Sequence, residues 1–216
     1  MVISKDSMSS KRILLSPPHM GGAESTYLAQ AFQDNWIAPA GPHIDLFENR
    51  LVDFLDKNCQ VVALNSGTAA IHLGLQLLGV QSGDEVLCQS LTFIASVNPI
   101  LYLGAKPVFV GSEKDTWNIC PLALEKAILN RLEKGVQPKA IIVVHLYGMP
   151  AKVNEIITIS KKYNIPILED AAEAFGSSYD GKPCGTFGDF GVLSFNGNKI
   201  ITTSGGGALI CHSESD

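Results

Sequence analysis

The sequence predicts an α/β fold, with a mostly parallel central sheet and helices on both of its faces. Two observations lead there. Apolar runs of strand character alternate with amphipathic stretches of helical period, the βαβα order from which parallel sheets are built. Several of the strand candidates are continuously apolar, as strands buried on both faces require.

In chain order, two amphipathic helices come first, AESTYLAQAFQDN (23–35) and HIDLFENRLVDFLDKN (43–58). The second carries Ile44, Phe47, Leu51 and Leu55 at helical spacing. A strand, CQVVALN (59–65), runs straight into a helix, GTAAIHLGLQLLGV (67–80). Strands DEVLCQ (84–89) and KPVFVG (106–111) follow, then a helix over 122–135. In that helix Leu124, Ile128 and Leu132 fall at i, i+4 and i+8, and Gly135 closes it. The strand KAIIVVHLYG (139–148) leads to a helix at 152–164 with Val153, Ile156, Ile157 and Ser160 on one face. Strands IPILED (165–170), GVLSFN (191–196) and GGALICH (206–212) complete the set. No repeat, long linker or low-complexity tract interrupts it.

Length and composition bound the function. A chain of 216 residues is long enough for one good-sized core. The net charge is −5, and no Lys/Arg cluster marks a nucleic-acid surface, so a small-molecule partner is expected and nucleic acid is not. Cys59, Cys88, Cys120, Cys184 and Cys211 are odd in number and show no CxxC or Cys/His spacing; no metal site is expected, and a reducing cytoplasm is. The opening MVISKDSMSSKRILL has no apolar signal core, and no run reaches the roughly 18 apolar residues of a membrane span.

In open α/β sheets, ligands bind beyond the carboxyl ends of the strands. Four features fall there. Ser66-Gly67-Thr68-Ala69-Ala70 opens a helix whose free N–H groups could hold a phosphate, or Ser66 could be a plain N-cap. Asp170 ends a strand, placed either to pair with a cationic ring nitrogen or to cap the next turn. Ser194 ends another strand. Lys199 follows within SFNGNKIITTSGGG, and alone it reads as a solvated lysine. Taken together, a phosphate seat, an aspartate for a pyridinium nitrogen and an imine-forming lysine are the parts that pyridoxal 5′-phosphate (PLP) requires.

The runs NSGTAAIHLGL, DEVLCQSLTFIASVNPILYLGAKPVFV, VVHLYGMPA, ILEDAAEAFGSSYDGKPCGTFGDFGVLSF and NGNKIITTSGGG resemble, in order, the sugar aminotransferases of the DegT/DnrJ/EryC1/StrS family. The resemblance runs from Ile13 onward. It implies the PLP-dependent transferase fold type I, the aspartate-aminotransferase-like large domain. It also implies that Lys199 is the catalytic lysine and covalent anchor, and that Asp170 pairs with the ring nitrogen. Glu173 would lie near the ring hydroxyl, Phe93 against the ring face, and Gly67, Thr68 and Ser194 around the phosphate. The segment NWIAPAGPHIDLFE resembles a sugar-nucleotide loop, which implies that Trp36, Ile37 and Ala38 touch substrate, with core packing the competing reading for Trp36. SPPHMGGAE and SFNGNKIITTSGGG are closest to enzymes that aminate C4 of UDP-linked 4-keto-6-deoxy sugars for protein glycosylation, with glutamate as the expected donor. A cytoplasmic homodimer with shared active sites is expected from the same resemblance.

Competing readings are weaker. Tyr102 and Lys106 match a Y-x-x-x-K pattern, but Gly104 and Pro107 break the helix it needs, and no G-x-G-x-x-G follows the first strand. His72 and His145 read as a helix face and strand-end packing. Some family members are dehydratases lacking the imine lysine, and Lys199 argues for transamination. Relatives continue into a smaller C-terminal domain, so residues 1–216 are expected to be the N-terminal segment and most of the PLP-binding domain. A catalytically inactive fragment, or action at another keto-sugar position, are the alternatives.

Overall fold

The computed structural model describes residues 13–55 and 58–212. The opening segment to Arg12, positions 56 and 57 of the second expected helix and the last four residues lie outside the described residues.

The main sheet has seven strands: β1 (Gln60–Leu64), β2 (Glu85–Gln89), β3 (Lys106–Val110), β4 (Ala140–Val144), β5 (Ile167–Asp170), β8 (Phe190–Ser194) and β9 (Gly207–Cys211). Their spatial order is β1-β9-β8-β5-β4-β2-β3. Every neighbouring pair is parallel except those of β9, which runs antiparallel to both β1 and β8. Six strands therefore share one direction, and each expected strand is found.

Alternation along the strands divides the core into two layers. Leu168, Ala140, Ile142, Val192 and Leu209 pack on one face beneath α3 (Gly67–Leu77). Ile141, Val143 and Ile167 face the other side, under α5 (Pro121–Glu133) and α6 (Val153–Tyr163). α2 (Pro42–Leu55) continues that second layer with Leu51 and Leu55 against Leu193, Ala208 and Ile210. Leu124 and Ile128 of α5 and Ile156 of α6 are buried as their spacing predicts. Ser160 turns its hydroxyl to Ile165 O at 2.7 Å, and Ile159 takes the core position instead. α1 (Glu24–Gln33) precedes α2 and buries none of its residues.

Three features escape the periodicity. β4 ends at Val144, and residues 146–148 form a 3₁₀ turn with Tyr147 left-handed (φ 50°). Gly148 is required there, because a Cβ would meet Glu173 O at 2.9 Å. A short α4 (Asn98–Tyr102) carries Pro99 in its first turn, and Gly104 (φ 70°) separates Tyr102 from Lys106 on β3. A hairpin joins β6 (Ser178–Tyr179) to β7 (Lys182–Pro183), turned by Asp180 and Gly181, both at positive φ.

One connection positions the site. β1 is an edge strand, while β2 lies five places away, so α3 must cross the sheet. It packs over β9, β8 and β5, and its N-terminus starts at the carboxyl edge of the sheet. No helix among the described residues is long and apolar enough to cross a membrane.

Candidate active site

Along that edge lies a cavity of about 450 Å³. It is lined by the ends of β1, β5 and β8, by the loop after β2, by the first turn of α3 and by the loop carrying Lys199. Gly67, Thr68, Phe93, Asp170, Glu173, Ser194 and Lys199 all face it.

Ser66 caps α3: its Oγ accepts the Ala69 N–H at 3.1 Å. The cap leaves Gly67 and Thr68 in the first turn, whose N–H groups have no acceptor within the helix. Backbone crowding demands glycine here. A Cβ on Gly67 would lie 2.9 Å from Ser194 Cβ, and one on Gly207 would lie 2.3 Å from the Ser66 carbonyl carbon. The third glycine of SGGG therefore lets β9 press on the start of α3, and Ser194 comes to rest beside Gly67. The cap uses a later N–H, so the Gly67 and Thr68 N–H groups are left available to an acceptor in the cavity.

Asp170 is the last residue of β5 and is buried (4% exposed). Its Oδ2 accepts from the Ser96 hydroxyl at 2.7 Å and its Oδ1 from Ala172 N–H at 3.2 Å. Burial pushes its pKa up, opposed by those two bonds and by the Lys199 cation. A protonated ring nitrogen in the cavity is the kind of partner that offsets such burial.

Lys199 is not a surface lysine: its side chain is 12% exposed, and Nζ lies 3.3 Å from Glu173 Oε1. The other carboxylate oxygen of Glu173 accepts the Tyr147 N–H at 2.9 Å. The Lys199 loop is cinched at its base, where Phe195 N–H donates to Gly206 O and Phe195 O accepts from Thr203 N–H and the Thr202 hydroxyl. Phe93 is exposed at the cavity wall, opening a turn formed by Ile94–Ser96.

Trp36, Ile37 and Ala38 do not join this cavity. All three are exposed after α1, and the Trp36 ring lies against the Gly41 backbone, so it is not a core residue either.

Sequence reasoning missed Thr92 and Ser96, which also line the cavity; a Thr-x-x-x-Ser repeat flanking Phe93 was their signal. At the wall of the cavity, which His145 also lines, His145 Nδ1 accepts the Ala151 N–H (3.0 Å), so Nε2 carries the proton and donates to Glu169 Oε1 at 2.6 Å. Glu169 also accepts N–H bonds from Gly185, Phe187 (2.7 Å) and Gly188 (3.1 Å). Cys184 Sγ completes a cluster whose ligand-type atoms lie within 4.8 Å of one another. With both ring nitrogens and both carboxylate oxygens engaged, the cluster is a hydrogen-bonded knot.

Residues 18–215 match the model of the DegT/DnrJ/EryC1/StrS aminotransferase family. The chain belongs to this family. It is 54% identical to EpsN of Bacillus subtilis (strain 168), named provisionally as a PLP-dependent aminotransferase, over 95% of this chain and 53% of that protein. It is 42% identical to the GDP-perosamine synthase of Escherichia coli O157:H7, over 95% of this chain and 54% of that one. Among solved structures, Helicobacter pylori PseC, an aminotransferase involved in pseudoaminic acid biosynthesis, superposes with a TM-score of 0.84 at 30% identity, covering 95% of this chain and 53% of PseC. The fold expected from the resemblance, type I of the PLP-dependent transferases, is the fold found. The chain spans about half the length of the curated relatives it matches.

Proposed function

We propose that this chain carries the PLP-binding half of an aminotransferase that moves an amino group to C4 of a nucleotide-linked 4-keto-6-deoxy sugar, with glutamate as donor. The supporting observation is the convergence on one cavity of a largely buried lysine, a buried aspartate and a glycine-lined helix start from three distant segments. Family membership and the relatives' names support PLP as the cofactor and sugars as the substrate class. The GDP-perosamine synthases among the relatives leave the nucleotide to be decided between UDP and GDP.

Bound PLP supplies a carbonyl carbon that condenses with amines and a ring that accepts electrons. Lys199 Nζ would hold the cofactor covalently, then carry the proton between the donor's α-carbon and the cofactor's C4′ carbon. Asp170 would keep a proton on the ring nitrogen. Gly67 and Thr68 N–H groups and the Ser194 hydroxyl would bind the phosphate. Phe93 would cover one ring face and exclude water. Glu173 would orient Lys199, the contact it already makes. Trp36, Ile37 and Ala38 would reach the sugar nucleotide only as part of a larger site, such as a dimer or a longer chain provides.

The test is spectroscopic and then catalytic. Added PLP is expected to give the 216-residue chain a yellow absorbance that borohydride fixes, with the label on the peptide holding Lys199. A chain that stays colourless with excess PLP overturns this reading. Incubation with glutamate and UDP- or GDP-linked keto-sugar, followed by mass detection of the amino-sugar, decides the substrate.

A further inference from the structure

Ser96 closes the single turn that begins after Phe93, and it is 1% exposed. Its Oγ lies 2.7 Å from Asp170 Oδ2, joining residues 74 positions apart. An ionised carboxylate only accepts, so the one hydroxyl proton of Ser96 points at Asp170. Thr92 Oγ1 lies 2.8 Å from Ser96 Oγ. With the Ser96 proton committed, Thr92 must be the donor in that contact. The result is a directed chain, Thr92 to Ser96 to Asp170, in which each hydroxyl dipole points toward the negative charge and strengthens the next. Phe93 lies between the two hydroxyls in sequence, and the Ser96 N–H donates to Phe93 O at 3.0 Å.

We propose that Ser96, backed by Thr92, is a positioning residue that keeps the Asp170 carboxylate ionised and oriented toward the cavity. The turn that presents Phe93 then also sets the contact to the ring nitrogen, so ring face and ring nitrogen are gripped by one five-residue device, Thr92 to Ser96. This rests on the reading of Asp170 as the ring-nitrogen partner. Burial works against the ionised form of Asp170, whose other helpers are Ala172 N–H and the Lys199 cation; His145, the other titratable group facing it, is neutral because its Nδ1 accepts the Ala151 N–H.

The test begins without cofactor, so that it stands apart from the proposed function. The infrared carboxyl band of Asp170, assigned by its loss in Asp170→Asn, is followed against pH in the 216-residue chain. Ser96→Ala is expected to move the protonation midpoint upward, Thr92→Val to move it by less, and Ser96→Thr to bring it back. Circular dichroism checks that each variant is folded; if Ser96→Ala is not, Thr92→Val decides. An unchanged midpoint in a folded variant overturns the proposal. With PLP added, Ser96→Ala should bind about tenfold more weakly, as losing one hydrogen bond to a charged group implies, with no further loss in an Asp170→Asn background. A wild-type chain that binds no PLP defeats the functional reading, while the midpoint still decides the role of Ser96.

Discussion

Glu169 and Asp170 are adjacent, both buried, and opposite in character. Strand alternation sends Glu169 to the α5/α6 side of the sheet and Asp170 to the α3 side. Glu169 is surrounded by four N–H donors, and those bonds hold its pKa below the ordinary carboxylate range although burial opposes them. Asp170 has a hydroxyl and one N–H, and burial wins, so its pKa is raised. A buried carboxylate saturated with donors fastens the fold. One that faces a cavity with charge to spare is suited to hold a cation.

The contrast can be broken or sharpened by mutation. On the cavity side, Lys199→Ala should cost about a thousandfold or more in amino transfer by the active enzyme, as losing the proton-transfer group implies, with little change in melting temperature. A comparable loss of stability would show that Lys199 supports the fold. On the other side, Glu169→Ala leaves His145 and three loop N–H groups without their acceptor. It should lower stability by on the order of 3–5 kcal/mol in urea denaturation, and a cost below about 1 kcal/mol would sink the fastening role. Gly207→Ala drives a methyl into the Ser66–Gly67 peptide. The overpacking should cost about 1–3 kcal/mol and weaken PLP binding together with stability, as measured by melting and by absorbance titration.

The smallest effect tests the sign of the two titrations. Glu169 has a depressed pKa, so its contribution to stability is present above the ordinary carboxylate value and is lost as pH falls through the depressed one. Asp170 has a raised pKa, so its contribution is present at low pH and is lost as pH rises from the ordinary value through the raised one. Asp170→Asn should therefore melt slightly higher than wild type at neutral pH, by less than about 4 °C, with the gap closing in acid. A lower melting temperature at neutral pH would reverse the contrast.

Much of this was legible in the sequence, with Phe93 and Glu173 implied by the family resemblance. Apolar runs marked all seven strands of the main sheet, most continuously in β4 and β9, which are buried along their whole length. Seven candidate residues share one cavity because strand ends and the loops after them converge there by topology. The turn at 146–148 was hidden because Tyr147 takes a left-handed conformation that its residue type does not announce. The 178–183 hairpin did carry a signal, the Asp180-Gly181 pair. The hydroxyl chain through Ser96 was illegible because its target lies 74 positions on. Trp36 and its neighbours resembled a substrate loop, and where a loop meets substrate depends on surfaces that the described residues do not supply.

The reversed strand β9 has a consequence for the order of assembly. β1 joins the sheet only through β9, and the start of α3 is seated against Gly207. A nascent chain can pair β2, β3, β4, β5 and β8 as each emerges, but β1 and the start of α3 after it must wait about 145 residues for residues 207–211. The cavity's first-made wall is thus the last part of this sheet to lock.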